Sequence, residues 1–359
     1  MRILFLPNWT VHHLDKDDAA LQAPDKTVNG EPYWFFRYFP ADTQVDVIDR
    51  GSNNWFRKIE TRLKFYIRQP YKAFRERRRY DIVISHGAQS GLVYELLASL
   101  GRGNTPPHLM FDIGGLNGAR INHTETPLIR FALRKSPHII VHASRQLEFY
   151  RRYYPDLARK ARFIPFGADY HYFTPLTDIA AERQIITFGR GKRDFATLCD
   201  AFAAMPDKRG YRLMVVGDTS LMNRYTHVPE IEFMPGVPVS QLMQMIASSA
   251  FVAIPLPEYL YSYGQMSFLQ SMSMAKPLIV TETTSSVDYI SQAPGVKRVR
   301  TGDVDDMTQA LQEMMGCSPT QLSAMGTANR QYVVEHFNER DMARGIYDYV
   351  QEIVEGGTD

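Results

Sequence analysis

Apolar positions along the chain come in short, β-branched runs with little strict alternation, and most are followed by a longer stretch with helical spacing. In the first half these runs are Arg2–Pro7, Gln44–Asp49, Tyr80–Ser85, His108–Phe111 and His138–His142. In the second they are Gln184–Phe188, Arg212–Val216, Ile231–Met234, Phe251–Pro255, Leu278–Val280 and Lys297–Arg300. Parallel strands covered on both faces read this way, because neither face has to be polar. Their alternation with helices predicts right-handed βαβ units and therefore an α/β chain with two Rossmann-like, doubly wound sheets. Between the halves, Phe163-Ile-Pro-Phe-Gly-Ala-Asp-Tyr-His-Tyr-Phe-Thr-Pro175 holds prolines and a glycine and reads as a linker. The expected division is a first domain over 1–168 and a second over 169–338. A last helix, Glu339–Val354 within 339–359, follows the second sheet and is expected to pack back on the first domain. The aromatic helix Tyr33–Phe39 reads as core, with part of it available to line a groove.

Composition adds limits. At 359 residues the chain is long for one hydrophobic core, and two α/β domains are the natural expectation. Apolar content of 44% and charged content of 22% are ordinary for a globular protein. A net charge of +2 names no partner, so any charge signal must be local. Cys199 and Cys317 offer neither a disulfide framework nor a metal spacing. The apolar start is too short for a signal peptide, and no run is long enough to span a bilayer, so a cytoplasmic protein is expected.

Candidate chemistry begins at Tyr263-Gly-Gln-Met-Ser-Phe-Leu-Gln-Ser-Met-Ser-Met-Ala-Lys-Pro277, a glycine turn entering a helix that Pro277 stops. Glycine at a helix start lets backbone N–H groups converge on an anion, and the helix dipole favours negative charge there. Upstream, Phe188-Gly-Arg-Gly-Lys-Arg193 puts Gly189, Arg190, Lys192 and Arg193 at the carboxyl end of a strand, the edge where open α/β sheets bind ligands. Gly217 and the loop Pro235-Gly-Val237 end two further strands of the same sheet. Arg and Lys suit diphosphate oxygens, so a nucleotide-diphosphate site is expected.

These segments resemble the GT-B-fold, family-4-like retaining glycosyltransferases over nearly the whole chain. The resemblance rests on Ile164-Pro-Phe-Gly-Ala-Asp169 with Phe173, on Phe188-Gly-Arg with Arg193-Asp194, on Val215-Val-Gly217, and above all on Leu269-Gln-Ser-Met-Ser-Met-Ala-Lys-Pro277. It implies two domains facing a cleft, a nucleotide-sugar donor on the second domain and a glycan or lipid-linked acceptor on the first. Donor contacts are expected from Tyr263, Gly264, Gln265 and Met266 together with the loops above. Two glutamates usual in the family correspond here to Ser262 and Gln270, and Glu258 is the nearest carboxylate to a sugar-contacting role. The family's first-domain histidine corresponds to Asp112, which is expected to orient sugar or acceptor; His86 is the nearest histidine candidate. Arg190 and Arg193 are expected to stabilise charge on the leaving phosphate. A non-catalytic nucleotide-sugar-binding member of the fold is the alternative, motivated by the missing glutamates and histidine.

No cofactor or metal is expected: no Asp-x-Asp pair marks a strand end, and His12 and His13 with nearby carboxylates match no familiar metal spacing. Those histidines are placed on the acceptor side. From Trp55 to Tyr80 basic residues far outnumber Glu60 and Glu76 and are interleaved with aromatics, a pattern suited to an anionic membrane surface. An ordinary solvated helix is the competing reading. Nucleic acid is not expected, since no recognition motif accompanies the charge.

Overall fold

A computed structural model of the protein describes residues 1–51, 60, 62, 65–101, 104–121, 127–135, 137–189 and 191–356. Fourteen strands follow in order: β1 (Arg2–Leu6), β2 (His12–Leu14), β3 (Lys26–Val28), β4 (Gln44–Val47), β5 (Ile82–His86), β6 (His108–Phe111), β7 (His138–Val141), β8 (Ala161–Phe163), β9 (Glu182–Phe188), β10 (Arg212–Val216), β11 (Ile231–Met234), β12 (Ser249–Ile254), β13 (Leu278–Thr281) and β14 (Val296–Val299). Two six-stranded parallel sheets result, ordered β4-β1-β5-β6-β7-β8 and β11-β10-β9-β12-β13-β14. The expected strands are all present. The stretch 163–175 is not purely a linker, because Phe163 closes β8, which pairs with β7.

Strand order locates the crevices. The first sheet reverses direction of growth between β1 and β5, and the second between β9 and β12, since β10 and β11 lie on one side of β9 and β12 to β14 on the other. Loops leaving adjacent strands at such a switch point part to opposite faces and open a binding crevice. In the second sheet those loops are 189–194 and 255–264. The strands beneath are rigid: Ile185, Ile186, Phe251, Val252, Ala253 and Ile254 are all fully buried.

The helix Glu339–Gly356 leaves the second domain and lays Met342, Ala343, Ile346, Tyr349, Val350 and Ile353 on the first-domain core around Ile3, Phe5 and Ile82. The same core takes up Trp34, Phe35 and Phe36 from a short 3-10 helix, Trp34–Tyr38. Where the chain crosses back, Arg37 lies 2.8 Å from Asp169 and 2.5 Å from Glu339. One guanidinium thus joins the first domain, the connecting segment and the returning helix. No helix among the described residues is long and apolar enough to cross a membrane.

Candidate functional site

The donor side is built on the turn after β9. Gly189 and Gly191 have φ of 140° and 63°, and Lys192 itself has φ of 50°, so the chain doubles back sharply. The Arg193 side chain folds onto the turn: Nε donates to the Phe188 carbonyl at 3.2 Å, Nη1 to the Lys192 carbonyl at 3.1 Å and Nη2 to Ser267 Oγ at 2.8 Å. A Cβ on Gly189 would sit 2.7 Å from Arg193 Nε, so glycine is what makes room for the guanidinium. Gly217 supports the same turn from β10, where a Cβ would meet the Gly189 carbonyl oxygen at 2.6 Å. Ser267 belongs to the first turn of the helix Gln265–Ser273, whose N-cap, Gly264, has φ of 84°. Arg193 therefore stands at the positive end of that helix.

Among the described residues this corner holds cations and no anion. Burial pulls Arg193 down to about 10 and lowers Lys192 as well. Lys192 Nζ sits 4.5 Å above the ring of Tyr261, which supplies a π face and no charge. Asp194, adjacent in sequence, turns away to cap the helix Phe195–Ala204 through Thr197. Among the described residues no carboxylate pairs with Arg193 or Lys192. Arg190 lies outside the described residues. Pro235 and Gly236 are exposed beyond β11, the edge strand, and no printed contact joins them or Val237 to the Arg193 corner.

Several expected donor contacts are occupied within the protein. Ser262 is buried across the domain boundary: its Oγ accepts from the His142 N–H at 3.1 Å and donates to Gln146 Oε1 at 3.3 Å. The Gln265 side chain bonds the carbonyls of Ser285 and His142, which turns it away from Arg193. Glu258 accepts the Thr284 amide through both oxygens, at 3.1 and 3.2 Å, and holds the loop after β13 rather than standing free for sugar. Tyr263 is buried beside the rings of Tyr259 and Tyr261. Gln270 and Met266 line a cleft between the domains with Gln22, Trp34, Phe166 and Tyr172, and Gln270 makes only a long contact, 3.5 Å, to Gln22. Gln270 thus remains available to a ligand's hydroxyls.

The first-domain candidates lie in three different settings. Asp112 is fully buried and acts as a scaffold acceptor: Oδ1 takes the amides of Gly114 and Gly115 at 3.0 and 2.9 Å, and Oδ2 takes Gln146 Nε2 at 3.0 Å and the Tyr150 hydroxyl. Its pKa is raised by burial against these donors. Both oxygens are thus engaged within the first domain. His86 is set among Trp9, Trp34 and Phe111, stacked on the last at 5.5 Å, and burial pulls it down to about 3, so it is neutral at physiological pH. His12 and His13 are exposed on a separate two-stranded ribbon, paired with Lys26 and Thr27.

His142, at the end of β7, escaped the sequence reading. Its Nδ1 lies 2.7 Å from the Ile164 carbonyl, which can only accept, so the proton is on Nδ1 and Nε2 carries the lone pair. Burial pulls it down to about 4. Its carbonyl receives the Tyr289 hydroxyl at 2.5 Å. A comparison of all strand ends would have picked it out, because it stands after β7 as Asp112 does after β6. Lys276 likewise proves structural: Nζ donates at 2.7 Å to the carbonyls of Ala247 and Ser249. Among the described residues no group of three or more His, Cys, Asp or Glu is placed to hold a metal ion.

Comparison with known proteins agrees with this fold. Residues 182–316 match the family model described as Glycosyl transferases group 1. No curated protein matches the chain by sequence. Among solved structures, sucrose-phosphate synthase from Thermosynechococcus elongatus superposes with a TM-score of 0.71 at 16% identity, covering 99% of this chain and 100% of that one. HepE from Anabaena, in complex with UDP, gives 0.70 at 14% identity over 98% and 100%; it was also solved with UDP-glucose. WaaG, a glycosyltransferase involved in lipopolysaccharide biosynthesis, gives 0.62 at 13% identity over 97% and 99%. The chain has the GT-B fold of these solved structures, and within its second domain residues 182–316 are similar to the group 1 glycosyl transferases.

Proposed function

We propose that the protein is a retaining glycosyltransferase that takes a nucleotide-diphosphate sugar on its second domain and passes the sugar to a glycan or lipid-linked acceptor on the first, in surface polysaccharide or glycolipid biosynthesis. The observation that carries this is the half-buried Arg193 guanidinium, which has no carboxylate partner among the described residues and stands at the N-terminus of the Gln265–Ser273 helix. A cation partly withdrawn from water and left with carbonyl and hydroxyl partners gains from an anion that completes it. A diphosphate supplies that anion. When the bond from the sugar's anomeric carbon to the phosphate oxygen breaks, negative charge grows on the leaving group, and Arg193 and Lys192 are already in place to offset it. The acceptor hydroxyl attacks the same face, and its proton passes to the departing phosphate oxygen. Because protein cations stabilise the leaving group, transfer is expected to proceed without a metal. HepE binds UDP and UDP-glucose, so uridine nucleotides are the first donors to try. A thermal-shift screen across UDP, GDP and other diphosphates tests the reading, since a ligand that binds only the native state raises stability. No shift with any diphosphate would refute it.

A second reading, binding without transfer, is favoured by one observation: Asp112 and Ser262, at the positions most tied to sugar chemistry in the family, are both engaged in scaffold bonds. Nucleoside diphosphate release from a bound donor separates the two.

The basic stretch bears on the acceptor. Within 55–80, residues 55–59, 61, 63 and 64 lie outside the described residues. The helix Arg68–Glu76 and the turn after it present Ile67 and Tyr71, 39% and 52% exposed, beside exposed Arg68, Lys72, Arg75, Arg78 and Arg79. Arg77 is not part of this face; it is buried against the Phe74 ring and carbonyl. Apolar side chains flanked by cations suit an anionic membrane surface, where a lipid-linked acceptor would be met.

A further inference from the structure

The segment 260–267, a loop running into the first turn of the Gln265–Ser273 helix, has two working faces. One holds the donor corner, through Tyr261 beneath Lys192 and Ser267 against Arg193. The other is tied to the first domain. Leu260 O accepts from Asn117 Nδ2 at 2.8 Å, and Ser262 Oγ sits between the His142 amide and Gln146 Oε1. Gln146 Nε2 in turn reaches both Asp112 Oδ2 and Asn117 Oδ1 at 3.0 Å. Alongside, Ser144 gives its amide and hydroxyl to Asp288 of the second domain at 2.7 and 2.6 Å. At Gly114, φ 104°, any Cβ would collide with the Tyr261 ring, so the first domain's glycine turn admits the loop closely.

We infer that Asp112 is a positioning residue: through Gln146 and Asn117 it fixes Leu260 and Ser262, so that the protein's own hydrogen bonds join the donor loop to the first domain. The carboxylate does this by holding three groups of the first domain in one arrangement, the Gly114–Gly115 turn, Gln146 and Tyr150. Asn117 and Gln146 then present a fixed donor and acceptor to the second domain. Closure is thereby coupled to donor seating, because one loop carries both. The effect on donor affinity rests on the donor-site reading above; the closure itself does not.

The amides of His142 and Ser144 report the junction directly, since each donates to a second-domain side chain. In nucleotide-free protein their hydrogen exchange should be slowed at least about tenfold relative to open loop amides. Asp112→Ala, which touches neither amide, should remove most of that protection and raise donor KM more than it lowers kcat. Asp112→Asn, which keeps an oxygen for the glycine amides but turns an NH2 donor toward Gln146 Nε2, should restore only part of each. If Asp112→Ala fails to fold, Ser262→Ala with Asp288→Ala should deprotect the same amides at unchanged secondary structure. Free exchange in the unmodified nucleotide-free protein, or unchanged exchange in Asp112→Ala or in the folded double variant, would overturn the inference. Failure of every diphosphate to bind would refute the donor reading and leave the exchange result to decide this one.

Discussion

Replacing Arg193 by Ala isolates the group on which the donor site depends. A charge-assisted hydrogen bond is worth about 1.5–3 kcal/mol. At about 1.4 kcal/mol per decade, the variant should bind nucleoside diphosphate roughly ten- to 150-fold more weakly. Stability of the ligand-free protein should change much less. The guanidinium is half-buried with carbonyl and hydroxyl partners and no counter-ion among the described residues, so its removal relieves some desolvation as well as losing three bonds. Thermal stabilisation shows the contrast. At UDP a hundredfold over its dissociation constant the unmodified protein gains about 2.7 kcal/mol, and a hundredfold weaker variant gains only about 0.4 kcal/mol at that concentration. Arg193→Lys should recover only part of the loss, because an ammonium cannot span Ser267 and a phosphate with a planar fork. Gly189→Ala should act in the same direction by pushing the guanidinium out of place. Calorimetric titration with UDP and GDP is the assay. Equal affinities for Arg193→Ala and the unmodified protein, with a diphosphate that binds the latter, would refute the assignment.

Other consequences are as open to test. Gly217→Ala meets the Gly189 carbonyl at 2.6 Å with φ of 107°, so it should cost about 1–3 kcal/mol of stability by denaturant unfolding and weaken nucleotide binding in parallel. Burial, offset in part by Arg37, raises Glu339 from 4.5 to about 7. A carboxyl that holds its proton more tightly when folded contributes stability that is complete below about pH 4.5 and lost as pH rises to about 7. Glu339→Gln should therefore flatten the fall in Tm across that window; an unchanged slope would contradict the assignment. Changing Arg75, Arg78 and Arg79 to Ser should abolish sedimentation with anionic vesicles at low salt, at about 1 kcal/mol for each charge, whereas Arg77→Ser should lower Tm. An unmodified protein that stays in the supernatant would point to a soluble acceptor.

Much of the scaffold was legible because parallel strands buried on both faces leave an unmistakable apolar signature. The glycine turns were legible too, since Gly189, Gly217 and Gly264 each serve a positive φ that few other residues tolerate. Short polar strands were not: β2 and β3 carry His12, His13 and Lys26, and β8 hides Arg162 beside a proline-rich segment. The use of Ser262 was invisible for a different reason. Its partners, His142 and Gln146, lie 120 and 116 residues away in sequence, and only docking of the two domains brings them together. Asp112 reads as a candidate catalyst at a strand end until Gln146, Tyr150 and two glycine amides are seen to surround it. Arg77 was indistinguishable from its neighbours in a basic run, although its side chain turns inward.

The central claim, transfer of sugar from a nucleotide diphosphate with retention, is tested most directly by following donor turnover in real time by proton NMR. With UDP-glucose, or whichever α-linked donor binds tightest, the account predicts release of the nucleoside diphosphate with the α-anomer of the sugar or glycoside appearing first, with chelator present as without. First appearance of the β-anomer would contradict retention. A donor that binds at the Arg193 corner and releases no nucleotide, with or without candidate acceptors, would show a binding protein on a glycosyltransferase fold.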